Sequence, residues 1–388
     1  MTITEVSLPN NSRSRLASAI LSTMQFAGQF TDMFIHEGRP IRLKTAKGNK
    51  SIKEMGLPGG DLIVEAADFK HFFASYVDGN SIKVKAGSYW ESDVIPSLSK
   101  QKAVNRSMRM GENYIRYSLF TQNNGELAMV VRITTAPPDL NSVGLTHQIV
   151  DRIKTRPRGL LIITGPTASG KTSTALSILE WFNQNRYGHI VTVEDPIEYK
   201  LQASGCDITQ REVGSDVASF AEGLRDAMRM SPNAILAGEV RDRDTAESAI
   251  LGGESGALMI VTTHGSSISG TLRKILTFTG EQSAAMREVM AGSLIGVVRQ
   301  ELVPVADRSG YVMVCDSLHM TENVRTMLEQ GNWAGLDKLT NHAAMPTPDF
   351  VPMTSQLREL NEKNLISREA LQDMSLSPSD LTKLLKSI

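Results

Sequence analysis

The eight residues Gly165 to Thr172 read GPTASGKT, a glycine-bounded turn that ends in a lysine and a hydroxyl. This spacing, G-x4-G-K-[ST], suits a phosphate chain. Gly165 and Gly170 allow close backbone approach, and Pro166, Thr167, Ala168 and Ser169 make the turn between them. Lys171 can reach the outer phosphates, while the Thr172 hydroxyl can enter the shell of a magnesium ion. Ser173 follows at the start of a helix, whose N-terminus favours negative charge.

Three more polar residues end short apolar runs. Glu194 lies in VTVEDPIEY, Glu239 in NAILAGEVRD and His264 in LMIVTTHGSS. Phosphoryl transfer depends on positioning and charge neutralisation more than on covalent chemistry, so two carboxylates and one lysine form a coherent set. Glu194 is read as activating or positioning water, with a turn-closing carboxylate as the alternative. Glu239 is read as orienting the attacking water or holding magnesium. His264 could hydrogen-bond the terminal phosphate, or simply pack. Asp242 and Asp244 are read as turn carboxylates. Arg116 and Arg132 lie on strand-like segments far upstream of the loop, whereas Arg225, Arg229 and Arg241 are nearer to it. Each arginine could neutralise phosphate or serve an ion pair.

These residues need strands to deliver them. LLIIT, HIVTV, AILA and LMIVTT are continuous apolar runs of the kind a sheet covered on both faces requires. The predicted organisation is a polar lead over 1–25 that ends in a helix over RLASAILSTM, a strand-rich domain over 26–135, a linker over 136–145, an α/β core over 146–280 and a helical part over 281–388. In the first domain DMFIHEGRPIRLKT, SIKVKAGSYW and ELAMVVRIT read as strand-forming, and AADFKHFFASYV as helical. In the last part EQSAAMREVMAGSLIGVVRQEL, ENVRTMLEQG and TSQLRELNEKNLISREALQDM read as helical.

Composition narrows the class. The 41 basic and 42 acidic residues nearly cancel, which gives no support to a general nucleic-acid binder. Cys206 and Cys315 are the only cysteines, far apart, so neither a disulfide framework nor a cysteine zinc site is expected. No apolar run approaches the ~18 residues that cross a bilayer, and no leader-like apolar segment opens the chain.

Taken together, the motifs resemble the secretion ATPase superfamily of type II and type IV secretion and type IV pilus motors. GPTASGKT corresponds to its Walker A motif, VTVEDPIEY to its aspartate box, AILAGEVRD to Walker B and TTHGSS to the end of its histidine box. The resemblance implies a PAS-like mixed α/β domain, then a RecA-like P-loop ATPase domain with a helical C-terminal region. It also implies ATP and Mg2+ as ligands, a homo-hexamer, and cytoplasmic docking at the bacterial inner membrane on secretion, conjugation or pilus proteins, without direct nucleic-acid binding. Carried across, Lys171 and Thr172 bind phosphate and magnesium, with Glu239 as a second magnesium group. Glu194, Glu239 and His264 serve hydrolysis, Arg116 and Arg132 match first-domain arginines that reach phosphates at a domain or subunit boundary, and Arg229 and Arg241 supplement the nucleotide site. Ala257 replaces the first histidine of the histidine box, and Ser231 and Asn233 replace acidic residues before Walker B. The absence of a cysteine-rich zinc module points to the retraction-like or type IVB-like branch; a type IVB secretion or conjugation motor is the leading expectation, with pilus retraction as the alternative. A nucleic-acid-translocating RecA-like motor and a non-catalytic nucleotide-dependent assembly protein are the readings of another class.

Overall fold

The computed structural model describes residues 14–26, 30–45, 48–75, 90, 94–110, 113–134, 136–306, 310–341, 345–367, 369, 371 and 374. The chain divides into two compact units, Met1–Ala136 and Pro137–Ile388.

The first unit is an antiparallel sheet with helices on one face. Its strands are β1 (Asp32–His36), β2 (Arg42–Thr45), β3 (Gly48–Ser51), β4 (Ala103–Met110), β5 (Asn113–Gln122) and β6 (Glu126–Thr134), in the order β3-β2-β1-β6-β5-β4. Alternation sets the two faces. Met33 and Ile35, Ile115 and Tyr117, Met129 and Val131 point into one core, where α1 (Arg15–Met24) supplies Leu16 and Ile20 and α2 (Ala66–Ser75) supplies Phe69, Phe72 and Phe73. The Arg15 guanidinium forks onto Asp68 at 3.1 and 2.9 Å, tying the two helices together. The helix expected over RLASAILSTM at the end of the polar lead is α1, and it packs into the core of this unit. Strand β4 was not expected, whereas β5 and β6 are the strand-like segments expected to carry Arg116 and Arg132. Most of the SIKVKAGSYW segment, residues 81–89, lies outside the described residues.

The second unit is a sheet of eight strands. They are β7 (Gly159–Thr164), β8 (Gly188–Glu194), β9 (Cys206–Glu212), β10 (Ala234–Ala237), β11 (Leu258–Thr263), β12 (Leu294–Pro304), β13 (Tyr311–His319) and β14 (Phe350–Val351), in the order β14-β13-β12-β7-β11-β10-β8-β9. From β12 to β9 all pairings are parallel, and β13 and β14 close the other edge antiparallel. Alternate residues of each central strand feed two separate cores. Leu161, Ile163 and Ile260 face α4 (His147–Thr155) and α5 (Lys171–Asn185). Leu160, Ile162, Val191 and Val261 face α6 (Phe220–Ala227), α7 (Arg243–Glu254), α8 (Ile268–Phe278) and α9 (Ser283–Ser293). This two-sided burial is why the strands read as unbroken apolar runs.

The C-terminal part carries α10 (Glu322–Glu329), α11 (Trp333–Asn341) and α12 (Met353–Glu362). Two expected helices are shorter than their patterns suggested. The stretch EQSAAMREVMAGSLIGVVRQEL leaves the helix at Ser293, and its second half is β12, where Ile, Val and Val in sequence fill both cores beside β7. The pattern after Thr354 ends as a helix at Glu362, because Asn364 takes a left-handed φ of 55° and Ile366 turns back to pair with Val305. No helix among the described residues is long and apolar enough to cross a membrane.

Ile20 is fully buried, so Ile20→Ala should remove about 2–4 kcal/mol from the first unit. Urea unfolding followed through Trp90, which stacks on Phe73 at 5.7 Å, measures this. A loss below about 1 kcal/mol would show that α1 is not part of this core.

Candidate functional site

Four adjacent parallel strands deliver the polar residues to one edge of the sheet. Thr164 of β7 stands opposite Thr263 of β11, Val261 opposite Ala237 of β10, and Ala237 opposite Val193 of β8. The residues that follow these ends are Gly165, His264, Glu239 and Glu194. Ligands of open parallel sheets bind in the crevice beyond such carboxyl ends.

The phosphate-type loop is built by close contact. Gly165 has φ of 148°, and a Cβ on it would meet the Gln300 carbonyl oxygen at 2.3 Å and Ser169 Oγ at 2.9 Å. Gly170 and Ala168 are left-handed, with φ of 84° and 61°. Pro166, Thr167 and Ala168 are exposed on the rim, whereas Ser169 and Lys171 are buried. Thr172 is half-buried and Ser173 exposed at the start of α5. No side chain caps this helix, so its first N–H groups are available to an anion. Lys171 Nζ donates to the carbonyl oxygens of Gly165 at 3.1 Å and Pro166 at 2.7 Å. Burial lowers its pKa, and Glu239 and Glu198 oppose that shift.

The two glutamates are shifted in opposite directions. Glu194 is buried, accepts a hydrogen bond from Thr192 Oγ1 at 2.6 Å and one from Gln210 Nε2 at 3.2 Å, and leaves Oε2 without a partner. Burial pushes its carboxyl up to about 7, against the pull of those two donors. At Glu239 burial also pushes upward, but the hydrogen bond and charge of Arg241, with His264 and Lys171, outweigh it and hold the carboxylate below its ordinary range. His264 Nε2 lies 3.3 Å from Glu239 Oε1, and Arg241 donates to Oε2. A pair of carboxylates driven apart in this way can divide acid and base work.

The structure gathers Lys171, Glu239, His264 and Arg241 into one charged group, with Glu194 on the neighbouring strand. It does not tie Arg225 or Arg229 to the loop. Both are exposed on or just after α6, and no hydrogen bond or ion pair joins either to residues 165–173. Asp242 caps α7 by accepting from Thr245 N at 2.9 Å, a structural role. Ala257 precedes β11 and so sits at the end of that strand opposite His264. In the first unit, Arg116 and Arg132 are directly opposed on β5 and β6, and Arg132 Nε donates to the buried Asp32 at 2.8 Å.

Three functional contacts escaped the sequence reading. Thr192 and Gln210 hold Glu194, and Gln300 donates to the Ser169 carbonyl at 2.7 Å. For Thr192 and Gln300 the signal is a polar side chain inside a strand whose neighbours are buried, whereas Gln210 stands on a half-buried edge strand and carries no such mark.

The residues fit a nucleotide with magnesium. The glycine that only a bare backbone satisfies, the uncapped helix, the buried Ser169 Oγ without a partner and the half-buried Thr172 hydroxyl are the donor set that a phosphate chain and its cation use. Fold and site together define a RecA-like P-loop nucleotide-binding core preceded by a mixed α/β domain.

Residues 81–375 match the family described as type II/IV secretion system protein. The chain belongs to that family. It is 32% identical over 269 residues to the type IV pilus retraction ATPase PilT of Pseudomonas aeruginosa, covering 68% of this chain and 76% of that protein. It is 34% identical over 222 residues to the type IV pilus ATPase PilU of the same species, covering 57% of this chain and 58% of that protein. The crystal structure of the pilus retraction motor PilT with bound ADP superposes with a TM-score of 0.76 at 26% identity, over 95% of this chain and 99% of that one. The Legionella pneumophila ATPase DotB shares the fold, with a TM-score of 0.72 at 20% identity over 99% of both chains.

A base with a carboxyl pKa of about 7 gives a pH limb. If Glu194 must be ionised, kcat falls as pH drops through that value. Thr192→Val and Gln210→Leu, which remove donors that favour the ionised form, move the limb to higher pH. The same shift sets a stability trend: the folded state holds the proton more tightly than the unfolded one, so stability declines as pH rises from the ordinary carboxyl range through about 7. Glu194→Gln therefore raises the melting temperature at pH 8, by an amount corresponding to at most on the order of 3 kcal/mol, while lowering turnover. A limb unmoved by both substitutions would remove Glu194 from the proton chemistry.

Proposed function

We propose that this P-loop ATPase is the subunit of a homo-hexameric motor that retracts a type IV pilus. The observation that carries the reading is the 32% identity to the pilus retraction ATPase over 269 residues, which include the whole phosphate site. The expectation of a type IVB secretion or conjugation motor rests on the motif resemblance and the lack of a cysteine-rich zinc module, which a retraction motor shares equally. Sequence likeness favours retraction.

In this reading the backbone of residues 165–173 and the Lys171 ammonium bind the phosphates of ATP. Thr172 and Glu239 hold the magnesium shell. Bound magnesium supplies charge neutralisation at the phosphate oxygens. Glu239, kept ionised by Arg241, His264 and Lys171, orients the attacking water. Glu194 takes up a proton, which its raised pKa permits near neutrality. His264, in contact with Glu239, passes the state of the site to α8 through the segment between them. Arg116 and Arg132 act across a subunit boundary on a neighbour's phosphates, and the ring docks at the cytoplasmic face of the inner membrane on pilus assembly proteins.

Like charges placed directly opposite on a strand pair oppose sheet formation. Arg116 and Arg132 are such a pair, with Asp32 as a counter-charge to Arg132.

Mixed rings test the shared site. Arg132→Ala and Lys171→Ala subunits should each be inactive alone, and an equal mixture should recover about a quarter of wild-type turnover, the fraction of sites that pair an intact loop with intact arginines by random mixing. No recovery in rings verified as mixed contradicts a shared site. For the apparatus, deletion in the host should leave pili that extend and no longer pull, read by force spectroscopy. Normal retraction forces with lost secretion or DNA transfer would overturn the retraction assignment.

A further inference from the structure

We propose that Gln300, on β12, is a positioning residue that sets the orientation of the peptide between Ser169 and Gly170 and so aims a backbone N–H at bound phosphate. The inference rests on the reading of residues 165–173 as a nucleotide site.

The register places Gln300 there. Arg299 stands opposite Thr164, the last residue of β7, so Gln300 runs alongside the loop that begins at Gly165. It is fully buried and touches the loop at three points. Its backbone carbonyl lies 2.3 Å from where a Cβ on Gly165 would sit, its Nε2 donates to the Ser169 carbonyl at 2.7 Å, and the same nitrogen is 3.3 Å from a Cβ position on Gly170. Its neighbour Arg299 holds β12 in place. Arg299 donates to the Ser266 carbonyl at 2.7 Å, to Asp316 at 2.9 Å and to Glu301 at 2.9 Å.

A trans peptide points its C=O and its following N–H in opposite directions. Holding the Ser169 oxygen toward β12 therefore turns the Gly170 N–H away from β12. Without that bond this peptide is the freest in the loop, because a peptide flip changes φ of the following residue and glycine accepts either sign. Gly170 is left-handed, at 84°. The residue type that lets phosphate approach thus also leaves one donor unaimed, and Gln300 removes that freedom. The carboxamide has a second feature suited to the task. Gln300 Oε1 and Ser169 Oγ are both buried without a partner, so the loop keeps polar atoms beyond those that its own folding satisfies.

Gln300→Met keeps length and bulk while removing the donor. By calorimetry, the Kd for ADP should rise about tenfold, the size of one neutral hydrogen bond with its ordering effect. Inorganic pyrophosphate, measured by competition, should weaken by the same factor, and the nucleotide-free protein should stay folded, its melting temperature falling only by what one lost buried hydrogen bond costs. Gln300→Glu, which keeps the shape and turns an acceptor toward the Ser169 carbonyl, should weaken both ligands at least as much at pH 8 and serves if the Met variant does not fold. Unchanged ADP affinity in either folded variant overturns the proposal. So does a loss for ADP without one for pyrophosphate. Lys171→Ala separates the two levels. If it abolishes ADP binding while both Gln300 variants bind normally, the nucleotide site stands and the positioning role falls. If it leaves ADP binding intact, the nucleotide reading falls and the positioning role with it.

Discussion

Everything at this site depends on one lysine being held, charged, in a buried position. An ammonium taken from water must find compensation nearby, and here burial does lower the pKa of Lys171. Two loop carbonyls and the charges of Glu239 and Glu198 act in the other direction. Phosphate would complete what these groups begin. The parallel sheet is the device that gathers the site, because four neighbouring strands in register end at one edge: Glu194 is the last residue of β8, Glu239 lies two residues beyond β10, His264 follows β11 and the phosphate loop follows β7.

The same edge sets two carboxylates in contrasting environments only one strand apart. Glu194 is enclosed at the end of β8 and has neutral donors for company, so it titrates near neutrality. Glu239 lies beyond β10 beside Arg241, His264 and Lys171 and stays ionised. Two identical side chains thereby acquire different chemistry from position alone. The contrast follows from topology. β10 is four residues long, and its chain emerges into the charged crevice, whereas β8 carries Glu194 inside the sheet.

Much of this was legible beforehand. β10 and β11 coincide with AILA and LMIVTT, because a strand buried on both faces leaves an unbroken apolar record. Lys171 was readable from the G-x4-G-K-[ST] spacing, and Glu239 and His264 because they lie at or just beyond the end of such a record. β9 was hidden by its composition. As the parallel edge strand CDITQRE it buries little, yet it supplies the Gln210 that steadies Glu194. β12 was hidden by its neighbour, since α9 runs into it without a break in apolar character and only the extended backbone at Leu294 marks the change. Gln300 was lost with it. Arg229 shows the opposite failure: nearness in sequence suggested a role at the loop, and the end of α6 leaves it exposed elsewhere. The opposed Arg116 and Arg132 needed the β5 and β6 register before their proximity could be seen.

The most direct test of a hydrolytic site completed by assembly is magnesium-dependent ATP turnover per chain, measured across a wide protein concentration range together with the assembled mass. The account predicts specific activity that rises in step with ring formation and is abolished by Glu239→Gln at every concentration. Full turnover in a species shown to be monomeric, or turnover that survives Glu239→Gln, would contradict it.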